Sequence, residues 1–211
     1  MSVVRVEWST PNAESLMAKM ARVSNPQNEN NDATAAKLIG YLARNKHWSP
    51  FEMVSATMYI ETERDVSRQI LRHRSFHFQE FSQRYAAAEG GVYTEARLQD
   101  TTNRQKSLPT DDEELIVWWY KAQEEIDNLA TTLYTQALDK GIAKEVARRI
   151  LPEGQTKTRM YMSGTMRDWW HFCQVRTEEG VQKETRDLCL QIDEECGKLW
   201  PVSWAALRNG G

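Results

Sequence analysis

Between Arg72 and Tyr85 the chain reads RHRSFHFQEFSQRY, in which three arginines, two histidines, a glutamate and two serines alternate with four aromatic rings. Just upstream, Arg64, Arg68 and Arg72 recur every fourth residue, with Gln69 near the same face. Like charges at this helical spacing repel by roughly 0.2–0.5 kcal/mol per pair unless something neutralises them. The row therefore calls for an anion, or for a helix C-terminus, whose dipole favours cations by about 0.3–1 kcal/mol. A helix continued through Arg72, His73 and Arg74 would fan them across roughly 200°, at about 100° per residue, so that at least one faces the protein body. An arginine held there pairs with carboxylate or phosphate, both of which match its planar fork. If the chain instead turns extended after Arg74, a period of two lines up Glu80, Ser82 and Arg84 on one face. An acceptor, a hydroxyl and a guanidinium in a row suit a ligand that carries both phosphate and a heterocycle.

Other chemistries fit less well. His73 and His77 stand four apart, but no acidic partner like the glutamate of H-E-x-x-H lies between them and Arg72 and Arg74 would repel a cation, so no metal is expected. Basic residues among Phe76 and Phe78 also resemble a platform for single-stranded nucleic acid, which leaves a nucleotide- or strand-binding protein without turnover as the rival reading. Neither G-x-G-x-x-G after a strand nor G-x-x-x-x-G-K-[ST] occurs, so a bound nucleotide would be gripped mostly by side chains.

The elements that position these residues can be read from periodicity. VVRVEWS alternates as a strand, and a helix is predicted from about Asn12 to Arg22, followed by the polar loop SNPQNENND. Asp32 is the predicted N-cap of a helix through Leu38, Leu42 and Ala43 that stops before KHWSPFE, because Pro50 disfavours helix at the residue before it. Met53 to Glu61 alternates as a second strand. Thr62 and Asp65 have capping-box-like spacing and open the helix that carries Val66 and Ile70 into the arginine motif. After Tyr85 come 27 residues without sustained period, a length that points to a functional or mobile loop. From Glu113 a long amphipathic helix carries Leu115, Trp119, Ala122, Ile126, Leu129, Leu133 and Ala137, with Gly141 placed to end it. A shorter helix with Ala143, Val146, Ala147 and Ile150 ends at Pro152. KTRMYMSG is a predicted strand, RDWWHFCQVR a helix, and VQKETRDLCLQIDEECGKLW a closing helix stopped by Pro201.

The sequence predicts an α+β (mixed α/β) fold, a single domain over residues 1–211 with a central sheet flanked by long helices. Its 211 residues suffice for one sizeable core. A net charge of −3 provides no global field toward nucleic acid or an anionic membrane, so anion binding must be local. No apolar run approaches the roughly 20 residues of a membrane span, and MSVVRVEWST lacks a signal-peptide core, so a cytosolic protein is expected. The three cysteines, Cys173, Cys189 and Cys196, are odd in number without C-x-x-C spacing, and the last two fall on an apolar helical stripe as buried hydrophobes.

Arg72-His73-Arg74, then seven residues and Ser82, with Glu80 before it and Arg84-Tyr85 after, resembles the signature of flavin-dependent thymidylate synthases. The likeness extends to HWSPFE before the second strand, to ARRILP, to RDWWHFCQVR ending in an arginine, and weakly to RQKS in the long loop. It implies a homotetramer with active sites between subunits, each holding FAD, dUMP and a folate. The implied reaction makes dTMP from dUMP, with methylenetetrahydrofolate giving the one-carbon unit and NADPH reducing the flavin. Carried over by position, Gln69, Arg72, Glu80, Ser82, Gln83, Arg84, Arg148 and Arg176 surround dUMP. Ser49, Arg72, His73, Arg74, Glu80, Thr165, Arg167 and His171 contact FAD, and His47 lies by the flavin and its folate or nicotinamide partner. The catalytic residues implied are Arg176, which stabilises the uracil N3 anion and so enriches C5, and His47. His77, Gln79, Thr165 and His171 depart from serine or asparagine found in other members.

Overall fold

The structure, a computed structural model, describes residues 2–210. Four antiparallel strands form the central sheet in the order β1-β2-β6-β3: β1 (Val3–Ser9), β2 (Ser55–Glu63), β6 (Lys157–Thr165) and β3 (His77–Glu80). The alternation in β2 and β6 decides which face is buried. Ala56, Met58 and Ile60 of β2 and Met160 and Met162 of β6 point into the core, while Tyr59 and Tyr161 meet edge-on on the open face. Helices α1 (Ala13–Ala21), α2 (Ala35–Arg44), α3 (Arg64–Ile70), α6 (Met166–Arg176), α7 (Lys183–Leu199) and α8 (Pro201–Gly210) contribute to the covered side. The mixed fold with its central sheet agrees with the sequence reading. Cys173, Cys189 and Cys196 are buried and unpaired, as small hydrophobes.

Local signals were overridden where packing had more to gain. Asp32 starts a short 3-10 turn, Asp32–Thr34, and α2 begins only at Ala35 without a side-chain cap. Thr62 stays in β2, where its hydroxyl donates to Glu63, and α3 starts after Glu63 with no capping box. A capping box does form at α6, where Thr165 and Asp168 bond each other's backbone N–H reciprocally. Pro201 ends α7 as predicted, and it also opens α8, because proline fits the first turn of a helix as readily as it stops one. Strand β2 is displaced two residues from the predicted Met53–Glu61, with Ser49–Glu52 forming a 3-10 turn before it.

The 27-residue segment after Tyr85 is tethered rather than open. It contains a small hairpin, β4 (Arg97–Gln99) with β5 (Ser107–Pro109), and is tied to the long helix α4 (Glu113–Asp139) at two points. Gly91 N–H and the Tyr93 hydroxyl donate to Asp127, and Thr94 bonds the Gln123 side chain. Helix α4, capped by Asp112 and followed by Gly141 at φ 81°, therefore buries Gln123, Asp127, Ala130 and Tyr134. Much of its predicted apolar stripe is turned outward: Ile126 is 52% exposed, Leu129 57% and Leu133 45%. The next turn is α5 (Lys144–Ala147), continued by a 3-10 turn through Arg148–Ile150. Among the described residues no helix is long and apolar enough to cross a membrane.

Candidate functional site

Helix α3 closes at Ile70, so Arg72-His73-Arg74 forms a turn between α3 and β3 rather than a helical fan. Phe76 anchors that turn, with its ring edge-on to Trp169 and Phe172 of α6. It lies flat on β6 because Gly164 has no side chain; a Cβ there would come within 2.6 Å of the Phe76 ring. The turn is thus fixed against the C-terminal half of α6, which brings His73 to Arg176.

Arg176 Nε donates to His73 Nε2 at 2.9 Å and its Nη2 donates to the Gln69 carbonyl at 3.1 Å. Among the described residues no carboxylate forms an ion pair with Arg176 or Arg72. Burial, then the neighbouring Arg72 charge, lowers the Arg176 pKa below its ordinary value. The His73 ring packs edge-on against Phe172 and is held at a pKa of about 4 by burial, then by Arg176, then by His171. Its neutral imidazole is what lets Nε2 accept from a guanidinium. Gln69, Arg72, His73 and Arg176 therefore form one cluster whose unpaired positive charge favours an anion or an electron-rich ring.

The amide of Gln69 donates to Gln182 Oε1, and Gln182 in turn donates to Asp65 and Glu184. Those carboxylates only accept, so they fix which way both amides face. Arg97 completes this network with an ion pair to Glu184 at 2.6 Å. The network borders a cavity of about 350 Å³ that Trp119 and Ile126 also line.

Glu80, Ser82 and Arg84 do not share a line. Strand β3 ends at Glu80, and a turn follows in which the Tyr85 and Ala86 N–H groups bond the Ser82 carbonyl. Glu80 bonds Arg68, Ser67 and Thr158 and also borders the depression that Ser82 lines. Ser82 lines a depression of about 540 Å³ on the open sheet face beside Arg5, Tyr59 and Arg159. Arg84 reaches outward to Glu145 at 3.1 Å. Gln83 is 4% exposed and its Nε2 has no hydrogen-bond partner among the described residues. Arg148 lies near Arg64, whose pKa is lowered by burial and then by Arg68, with Arg148 adding to the effect. No hydrogen bond or ion pair joins Ser82 or Arg84 to Arg176 among the described residues.

The remaining residues group near the opposite end of α6. Arg167 bonds Glu52 and lies over the Trp48 ring, 5.7 Å from its centroid, which places it beside Ser49. The Thr165 hydroxyl donates to Asp168, leaving it only acceptor capacity for anything further. His171 is exposed one turn on from Arg167. Arg167 and Arg176 are separated by about 14 Å along the helix, at about 1.5 Å per residue. Arg74, Ser49 and His171 are exposed without side-chain hydrogen bonds among the described residues. His47 is exposed, its ring edge-on to Tyr41, and it makes no side-chain hydrogen bond to this strip.

Sequence reasoning noticed the arginine row but missed the partner of Arg68. It also missed Ser67, Thr158 and the Gln182 network. Thr158 lies 78 residues from Glu80, and nothing local announces such a contact.

A mixed fold that leaves a part-buried guanidinium oriented by a neutral imidazole, with no acidic partner among the described residues, is suited to grip electron-rich, anionic small molecules. The chain is a member of the thymidylate synthase complementing protein family, which it matches over residues 5–202. It is 52% identical over 196 residues to a probable flavin-dependent thymidylate synthase of Paramecium bursaria Chlorella virus 1, covering 92% of this chain and 90% of that one. It is 47% identical over 194 residues to the flavin-dependent thymidylate synthase of Synechocystis sp., covering 92% and 89%. A UMP/dUMP methylase, PolB, from Streptomyces cacaoi, solved with 5-Br dUMP, superposes with a TM-score of 0.86 at 28% identity, over 100% of this chain and 96% of that one. These relatives favour the enzyme over the single-strand platform.

Proposed function

We propose that this protein is a flavin-dependent thymidylate synthase that converts dUMP to dTMP, using FAD, with methylenetetrahydrofolate as one-carbon donor and NADPH as reductant. The observation that carries this reading is the Arg176 guanidinium, oriented by His73 and the Gln69 carbonyl beside Arg72, with no acidic partner among the described residues. A guanidinium so placed stabilises negative charge on the uracil ring at N3 and its neighbouring carbonyl oxygen, which raises electron density at C5. No protein thiolate is needed to activate the pyrimidine, in keeping with three cysteines that are all buried.

The residues present fit a flavin dinucleotide. Arg74, His171 and Ser49 are exposed donors along and beside α6, and Arg167 keeps N–H groups beyond the one directed at Glu52. These groups suit a pyrophosphate and the carbonyl edge of a flavin ring. When bound and reduced by NADPH, the flavin would supply the hydride that completes the methyl group. Thr165 would contribute an acceptor only, and His47 would stand at the exposed end near Ser49, where a folate or nicotinamide can reach.

The dUMP set is divided within one chain. Gln69, Arg72 and Arg176 form one part, while Ser82 and Arg84 open onto another surface. Such a division supports active sites completed between subunits, and the outward apolar stripe of α4 supports association into a homotetramer. We assign the enzyme to the cytoplasm.

The test is NADPH oxidation dependent on dUMP, run with and without methylenetetrahydrofolate, with dTMP measured as product. Purified protein that is yellow or binds added FAD and forms dTMP is expected. Protein that stays colourless when offered FAD defeats the proposal. Tight single-strand binding with a steep salt slope would point to the rival.

A further inference from the structure

The carboxylate of Glu80 is the most heavily hydrogen-bonded acidic group near the arginine motif. Arg68 Nη2 forks onto both of its oxygens, at 2.7 Å each. The Thr158 hydroxyl donates to Oε1 at 3.0 Å, and the Ser67 hydroxyl lies 3.0 Å from the same oxygen while sharing its single proton with the Arg64 carbonyl at 2.8 Å. Oε1 therefore meets donors from two elements, Ser67 and Arg68 of α3 and Thr158 of β6, whereas among the described residues Oε2 meets Arg68 alone. The asymmetry leaves Oε2 with an open lone pair, and the saturated Oε1 prevents the carboxylate from rotating to hide it. On its other side Arg68 makes only a loose ion pair with Glu153, 3.7 Å from its Nε, and that buried N–H has no hydrogen-bond partner among the described residues.

We infer that Arg68 is a positioning residue for the nucleotide site: it fixes Glu80 so that one oxygen is presented to a hydroxyl or imide N–H of the bound nucleotide. This rests on the synthase reading, which places Glu80 in contact with dUMP. Neither Arg68 nor Thr158 touches the ligand in this arrangement. They act through Glu80, and the arginine row on α3 is accounted for differently at each step. Arg68 neutralises Glu80 and Glu153, while Arg64 and Arg72 keep their charge for an outside anion. A flexible glutamate would present two oxygens in many orientations; one locked by a guanidinium and two hydroxyls presents a single acceptor in one direction.

The test is a double-mutant cycle on the FAD-loaded enzyme, with dUMP affinity measured by equilibrium dialysis and KM measured for dUMP and NADPH separately. Arg68→Ala is expected to weaken dUMP binding about tenfold or more, as loss of a charge-assisted bond would. KM for NADPH should change by less than KM for dUMP, because Glu80 is also carried over as an FAD contact, whereas a general loosening of the fold would raise both alike. Arg68→Lys, which keeps the charge but lacks the planar head, is expected to recover part of the affinity. In a Glu80→Gln background, Arg68→Ala or Arg68→Lys should cost little further, because the residue through which Arg68 acts has already been disabled. Should Arg68→Ala not fold, the Arg68→Lys arm carries the same cycle. Fully additive losses with Glu80→Gln, or native affinity in Arg68→Ala, overturn the inference while leaving an active wild type. A wild-type enzyme that binds no dUMP overturns the synthase reading beneath it.

Discussion

His73 Nε2 accepts a hydrogen bond from Arg176 Nε at 2.9 Å, so the imidazole that follows the first motif arginine sets the plane of a guanidinium 103 residues away. The pair holds only while His73 is neutral, and its environment enforces that state. Burial is the largest cause, and the charges of Arg176 and His171 push in the same direction.

From this follows a pH dependence with a definite sign. The His73 pKa is lowered from 6.5 to about 4, so between those values the unfolded chain takes up a proton that the native site refuses. His73 therefore costs nothing above pH 6.5, and destabilisation accumulates as pH falls from there toward 4. Below 4 the penalty is constant and the contact with Arg176 is lost. An NMR titration of His73 should give a midpoint near 4, and a midpoint near 6.5 would show that the imidazole is solvated and does not orient Arg176.

Arg176→Ala should abolish dTMP formation, a loss of about a hundredfold or more, as removing a group that stabilises developing negative charge does. Circular dichroism should be unchanged, since Arg176 makes no ion pair among the described residues. In the same variant the His73 pKa should rise from about 4 yet stay below 6.5, because burial outweighs the lost charge. Near-native turnover would remove Arg176 from its assigned role.

Ser82→Ala should weaken dUMP binding. The Ser82 hydroxyl is exposed, and its one internal bond, from Arg84 N–H at 3.4 Å, is long, so it is free to meet a ligand. A calorimetric titration with unchanged affinity would show that the hydroxyl is dispensable.

On helix α4, Leu129→Glu should dissociate the oligomer with little loss of subunit fold. Leu129 is 57% exposed within one chain, and the substitution would place a charge in the middle of the outward apolar stripe proposed as the subunit interface. Light scattering should show a smaller species together with loss of turnover. A tetramer that persists would exclude that stripe as the interface.

The motif RHRSFHFQEFSQRY and the segments HWSPFE, ARRILP and RDWWHFCQVR were legible as a set, because their residue types and spacing are properties of the chain itself. Strands β1 and β6, helices α1, α6 and α7, and the burial of Cys189 and Cys196 were legible for a similar reason: period and side-chain polarity act within a few residues. Helix α8 was not, since Pro201 signals a stop and a start equally well. The outward stripe of α4 was misleading, because amphipathicity gives a direction to the apolar side without saying whether the same chain or another covers it.

Only the tertiary structure decided what each motif residue does with its charge. Arg68, Arg72 and Arg84 look alike in sequence, yet the first is neutralised by Glu80, the second stands unpaired beside Arg176, and the third turns outward to Glu145. The ending of α3 at Ile70 and of β3 at Glu80 sent neighbouring side chains in different directions, and the packing of Phe76 onto Gly164 brought His73 to α6. Contacts between residues tens of positions apart depend on how the sheet and helices pack, and no local spacing encodes them.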